Sequence, residues 1–197
     1  MSINPAIRYL NQSTNSLVRE QLLNYKLFYD LQLAAAYDQE ALKIYQPAVD
    51  NQGCDIVIED NLDFSRKIQL KSKVESKTKE WKIHRSILLP GMLQADDFGF
   101  DATICPTNPG AFIIIDVSRP KKENSDELSI SYWYTDFNII SLIADGIFKS
   151  KESTKKEAIK TINLLMTTKN KQIVIKKSLM VKVQKPSSLL DLCGFLN

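Results

Sequence analysis

Between residues 14 and 37 the apolar positions Leu17, Leu23, Leu27, Leu31 and Ala34 recur at helical spacing, and Ser13, Thr14, Asn15 and Ser16 offer N-caps in front of them. The pattern predicts one long helix, with Glu20 inside its apolar stripe. Short strand-like runs follow at about 42–49, 54–59 and 66–74, with Gly53 and then Asp60-Asn61-Leu62-Asp63 between them. Residues 75–110 show no clear period: a basic stretch, an apolar Ile87-Leu88-Leu89, then turn residues around Pro106, Pro109 and Gly110. Ala111 to Val117 is nearly continuous apolar sequence, as a strand covered on both faces requires. Residues 128–134 alternate as a strand, 136–149 and 153–168 read as helices, and short strands are expected near 172–175 and 179–184. There is no internal repeat, and the lysine-rich bend at 149–156 reads as a joint between two helices, so one domain is expected over 1–197, with the basic part 149–197 included.

Composition narrows the chemistry. A chain of 197 residues, 44% hydrophobic and 25% charged, can build a core without staples. Cys54, Cys105 and Cys193 are odd in number and widely spaced, which argues against a disulfide framework or a zinc ribbon. The first residues lack a basic, apolar leader, and no apolar run reaches the ~20 residues of a membrane span. A soluble protein of the reducing cytoplasm, with no membrane partner, is expected. His84 is the only histidine, so a three-histidine zinc site and a multi-histidine nuclease site are excluded. No G-x-S-x-G accompanies it, and it is expected at the surface or behind a site rather than in a nucleophilic triad.

Charge is unevenly spread. Residues 1–62 hold 4 Lys/Arg against 8 Asp/Glu, residues 129–197 hold 11 against 5, and the stretch from Arg66 to Arg85 holds 8 basic residues with only Glu75 and Glu80. An acidic part beside basic parts suits a centre that holds metal and grips phosphates, and equally suits solvated surface lysines.

Strand geometry singles out one constellation. Residues 54–59 and 66–73 form a hairpin with about five loop residues. If Glu59 pairs with Ser65, Asp55 falls opposite Gln69. Alternation then gives Asp55, Val57 and Glu59 a common face with Gln69, Lys71 and Lys73, while Ile56, Ile58, Ile68 and Leu70 share the other. A one-residue slip would bury the polar set, so hydrophobicity fixes the register. A carboxylate, an amide oxygen and an ammonium on one face suit phosphodiester hydrolysis. Mg²⁺, or Mn²⁺ in its place, takes hard oxygen ligands, here Asp55 and Gln69, with the Leu70 carbonyl as an additional donor. Lys71 is placed to orient or deprotonate the attacking water and touch the phosphate. Glu20 has two readings: a fourth catalytic and metal-binding member, or a surface carboxylate in the first helical turn.

These residues resemble a known family. Gly53-x-Asp55-Ile56-Val57-Ile58 followed by Ile68-Gln69-Leu70-Lys71-Ser72, with a preceding helix carrying Glu20, looks like the core motif of the PD-(D/E)XK nuclease superfamily over residues 14–74. The resemblance implies an α/β (α+β) restriction-endonuclease-like core, a mixed central sheet flanked by helices in αβββαβ order, and metal-dependent cleavage of nucleic acid. Cys54 replaces the motif proline and Gln69 occupies the second acidic position, as in some active members of the family. The lost negative charge weakens metal affinity unless Glu20 or Asp50 compensates.

Two functions follow. One is a Mg²⁺-dependent endodeoxyribonuclease acting in restriction, phage defence or DNA processing. The other is a catalytically inactive nucleic-acid-binding or assembly subunit. Double-stranded DNA is the expected partner, with RNA left open, contacted by Lys73, Lys77 and Lys79 and by lysines of 149–185. Cutting both strands favours a homodimer, and further subunits of a defence system are a compatible setting. Trp81, Trp133 and Tyr134 suit base stacking or, more commonly, a core. Asp96, Asp97 and Asp101 read as a polar loop rather than a metal site.

Overall fold

The computed structural model describes residues 4–48, 53–62, 64–93, 103–105, 110–119 and 128–195. The long expected helix is α2 (Ser16–Tyr37), preceded by a shorter α1 (Pro5–Asn11). Asn4 caps α1, its side chain accepting from the N–H groups of Ala6 and Ile7, and Pro5 sits in the first turn, where its missing N–H costs nothing. Leu23, Leu27, Leu31 and Ala34 of the stripe are buried, whereas Leu17 is exposed.

Six strands form the main sheet, in the order β1 (Lys43–Tyr45), β2 (Ile56–Glu59), β3 (Ser65–Val74), β7 (Ala111–Ser118), β8 (Ser129–Asp136) and β10 (Val181–Val183). All neighbours pair antiparallel except β3 and β7, which run parallel, so the sheet is mixed. Two further pairs lie outside it: β4 (Glu80–His84) with β9 (Gln172–Lys176), and β5 (Gly91–Leu93) with β6 (Thr103–Cys105). The remaining helices are α3 (Arg85–Leu88), α4 (Phe137–Ala144), α5 (Glu152–Thr167) and α6 (Pro186–Cys193).

The β2–β3 register is the one hydrophobicity demands, with Glu59 opposite Ser65 and Ile56 opposite Ile68. Asp60 closes the hairpin. Its carboxylate accepts from the N–H groups of Leu62 and Phe64, and its own N–H donates to Phe64 O. β7 reads as it must: Ala111 through Ile115 are all buried, with α2 reaching one face through Asp30 and Tyr132, α3 packed against β7, and Trp81 of β4 meeting Phe112.

Strand pairing assigns every side chain to a face. On the first face Tyr132 bonds Asp30 of α2, and Arg66, Tyr134 and Asp136 form a buried cluster near Cys193 of α6. On the second face Trp81 of β4 meets Phe112, and Thr135 donates to Leu179 O. Gln69 and Lys71 belong to this second face by alternation. Among the described residues no helix is long and apolar enough to cross a membrane.

Candidate active site

At Asp55 the β2–β3 ladder comes apart. Its N–H still donates to Ile68 O at 2.9 Å, but the next bond is made by a side chain: Leu70 N–H donates to Asp55 Oδ2 at 2.7 Å. The carboxylate therefore stands in for a main-chain carbonyl at the splayed end of the hairpin. Gly53, two residues earlier, has φ +78°, a conformation that glycine adopts without strain. An added Cβ there would lie 2.5 Å from His84 Cβ and 3.1 Å from Gln69 Nε2.

Gln69 is held from β4. Its Oε1 accepts the main-chain N–H of His84 at 2.8 Å, and its side chain is only 8% exposed. The His84 ring shares a 2.7 Å hydrogen bond between Nδ1 and Ser86 Oγ. Lys71, two residues along the same face, is exposed. So Asp55 is a carboxylate oriented by Leu70, and on β3 a clamped carboxamide at Gln69 and an exposed ammonium at Lys71 flank that residue. The histidine sits behind the amide and helps fix it through its backbone.

Other members of the sequence-derived set go elsewhere. Lys73 is a correction: it is 8% exposed and its Nζ pairs with Asp116 at 2.8 Å, beneath Lys177 and Trp133, so it does not face a ligand from solvent. Asp116 also accepts from Trp133 Nε1, which explains why a lysine is tolerated inside. Glu20 is exposed on α2, which packs on the opposite face of the sheet, and no hydrogen bond or ion pair joins it to Asp55 or Gln69. An exposed carboxylate needs no metal to explain it. Glu59 lies four residues from Asp55, roughly 13 Å along the strand, and is engaged by Lys43 and Tyr45. Lys77 and Lys79 are exposed between β3 and β4. Trp81 and Tyr134 are buried, and Trp133 lies under Lys177, whose Nζ is 3.9 Å from the ring centroid. Asp50, Asp96, Asp97 and Asp101 fall outside the described residues.

No family model, curated protein or solved structure matches this chain. The site must be judged on its own chemistry.

Among the described residues, no three His, Cys, Asp or Glu side chains gather into a metal-binding group. The oxygens of Asp55 and Gln69 nonetheless fit a hard cation such as Mg²⁺, which keeps several waters and takes one or two protein carboxylates. Leu70 N–H donates to the Asp55 carboxylate and His84 N–H to the Gln69 amide oxygen. One carboxylate and one neutral amide would make a weak site, with water and phosphate oxygens needed to complete it. Zinc, which favours His and Cys, is a poorer match.

Proposed function

We propose that this protein is a metal-dependent nuclease that hydrolyses phosphodiester bonds, with DNA as its substrate, in restriction, phage defence or DNA processing. The observation carrying this reading is the hydrogen bond from Leu70 N–H to Asp55 Oδ2, which ties the carboxylate to β3 between Gln69 and Lys71. The order of elements supports a restriction-endonuclease-like core. α2 leads into the antiparallel β1–β2–β3, and β7 returns parallel to β3. The crossover between β3 and β7 departs from a plain helix: its described residues hold β4, the short α3, β5 and β6.

Asp55 and Gln69 would hold Mg²⁺, or Mn²⁺ in its place. The bound cation supplies an activated water and neutralises charge on the phosphate. Leu70 N–H fixes the rotamer of Asp55, and His84 N–H fixes the amide of Gln69, so both oxygens are pre-aimed. The Lys71 ammonium contacts the scissile phosphate and orients the attacking water. With one site per chain, cleavage of both strands of a duplex calls for a homodimer.

One observation favours a second reading. The amide at position 69 is largely enclosed and carries no charge, as in a subunit that binds nucleic acid without cutting it. Incubation with plasmid DNA and Mg²⁺ or Mn²⁺ separates the two. Cleavage that is lost with chelator and in Lys71→Ala supports the nuclease. A mobility shift with no cleavage at any metal concentration overturns it in favour of the binder.

A further inference from the structure

Beside the candidate site, β4 and β9 pair with Lys82 opposite Val174 and His84 opposite Gln172. At that end they border an open groove of about 570 Å³ whose lining includes Lys82, His84, Asn170, Lys171, Gln172 and Val174, and no carboxylate. Lys82 and Lys171 are exposed, and neither forms an ion pair with a described residue. At the opposite end of the same two strands Lys176 is neutralised by Glu157 at 2.9 Å. Lys82 and Lys171 thus leave positive charge without an ion-pair partner among the described residues at the end nearest Gln69.

The groove is tied to the site through two consecutive residues. His84 N–H bonds Gln69 Oε1, and Arg85 N–H donates to Lys171 O at 2.8 Å. The Arg85 guanidinium adds bonds to Leu165 O and Thr168 O, fixing the end of α5 to the same corner. Cationic ends, neutral amides and a partly apolar wall form the surface that a nucleic-acid backbone fits. Ammoniums take phosphates, amides take sugar or base edges, and Val174 offers apolar contact.

We propose that this groove is the path by which a nucleic-acid strand enters or leaves the candidate site, with Lys82 and Lys171 each contacting a phosphate. The assignment rests on the nuclease reading for its substrate class, but its test does not need cleavage. Binding of labelled single-stranded and duplex oligonucleotides is followed by fluorescence anisotropy in EDTA, between about 50 and 200 mM salt. The double variant Lys82→Ala/Lys171→Ala is expected to bind at least about tenfold more weakly. Loss of two phosphate contacts should also flatten the slope of log K against log salt by about 1.4 for a single strand or about 1.8 for a duplex. Arg8→Ala/Lys26→Ala removes the same charge from exposed positions on α1 and α2 that do not line the groove, and is expected to bind nearly as the wild type does. Absence of binding by the wild type, unchanged affinity and slope in the groove variant, or equal losses in both variants would overturn the proposal. Groove-dependent binding without Mg²⁺-dependent cleavage would leave the groove standing and remove the nuclease. Cleavage with a groove variant that binds normally would do the reverse.

Discussion

The main-chain N–H of His84 donates to Oε1 of Gln69 across 2.8 Å, tying β4 to the middle of β3. A side chain on the central sheet is thereby aimed by the backbone of a peripheral strand. Gly53 packs against both partners, so the three positions act as one unit.

Gly53→Ala tests that unit. The substitution combines a disfavoured φ of +78° with a Cβ 2.5 Å from His84 Cβ, and one of the two backbones must move. Stability should fall by more than about 1 kcal/mol. Chemical denaturation measures it, and a native-like midpoint would show that the packing here is loose.

Gln69→Glu restores a second carboxylate without changing the side-chain length. His84 N–H can donate to a carboxylate as to an amide, so the geometry is retained. Mn²⁺ should bind about tenfold more tightly, and cleavage at limiting metal should rise. The metal-free variant should be less stable, since Asp55 and Glu at 69 then repel each other. Unchanged metal affinity would mean that position 69 does not face the cation.

Arg66→Ala tests the opposite face. Arg66 pairs with Asp136 at 2.8 Å, and both side chains are under 10% exposed. Removing the guanidinium strands a buried carboxylate, leaving only the bonds from Tyr134 Oη and Ile139 N–H. A loss of about 3–5 kcal/mol is expected, read by thermal or urea unfolding. Replacing the pair together with well-packed apolar residues should cost far less.

Alkaline pH should unfold the protein early. Burial pushes the Cys193 thiol from 9.0 up to about 12. Burial also raises Tyr132 and Tyr134 above 10.0, helped for Tyr132 by its bond to Asp30 and for Tyr134 by the charge of Asp136. The unfolded chain releases these protons near its ordinary values while the folded chain keeps them. Their stabilising contribution is therefore complete below about pH 9 and is lost as pH climbs toward the raised folded values, by up to about 1.4 kcal/mol per group per pH unit. Melting temperature between pH 8 and 11 measures the loss, and Cys193→Ala should remove only the share due to the thiol.

Much of this architecture was legible because hydrophobic period and turn chemistry agreed. Ile56, Ile58, Ile68 and Leu70 fixed the β2–β3 register, and the run from Ala111 to Ile115 identified a doubly covered strand. Charge was less legible. Lys73 and Lys71 look alike in sequence, and only the Asp116 partner, 43 residues on, separates a buried pair from an exposed ammonium. Glu20 was harder still, because helical spacing places it in a stripe but does not say where along the helix the core ends. β4 and α6 were missed although their signals were present. Glu80 to His84 alternates, with Trp81 and Ile83 buried, and Pro186 and Gly194 bracket α6. His84 could not have been matched to Gln69 from sequence, since the bond uses the backbone and β4 is held by β9, 88 residues away from Gln172 to His84.

Mn²⁺ binding followed by electron paramagnetic resonance, in the presence of a non-cleavable phosphorothioate oligonucleotide, tests the central claim most directly. A bound ion in the wild type, weakened at least about tenfold in Asp55→Asn with the fold intact by circular dichroism, is the outcome this account requires. No bound ion in the wild type, or equal affinity in Asp55→Asn, would contradict it.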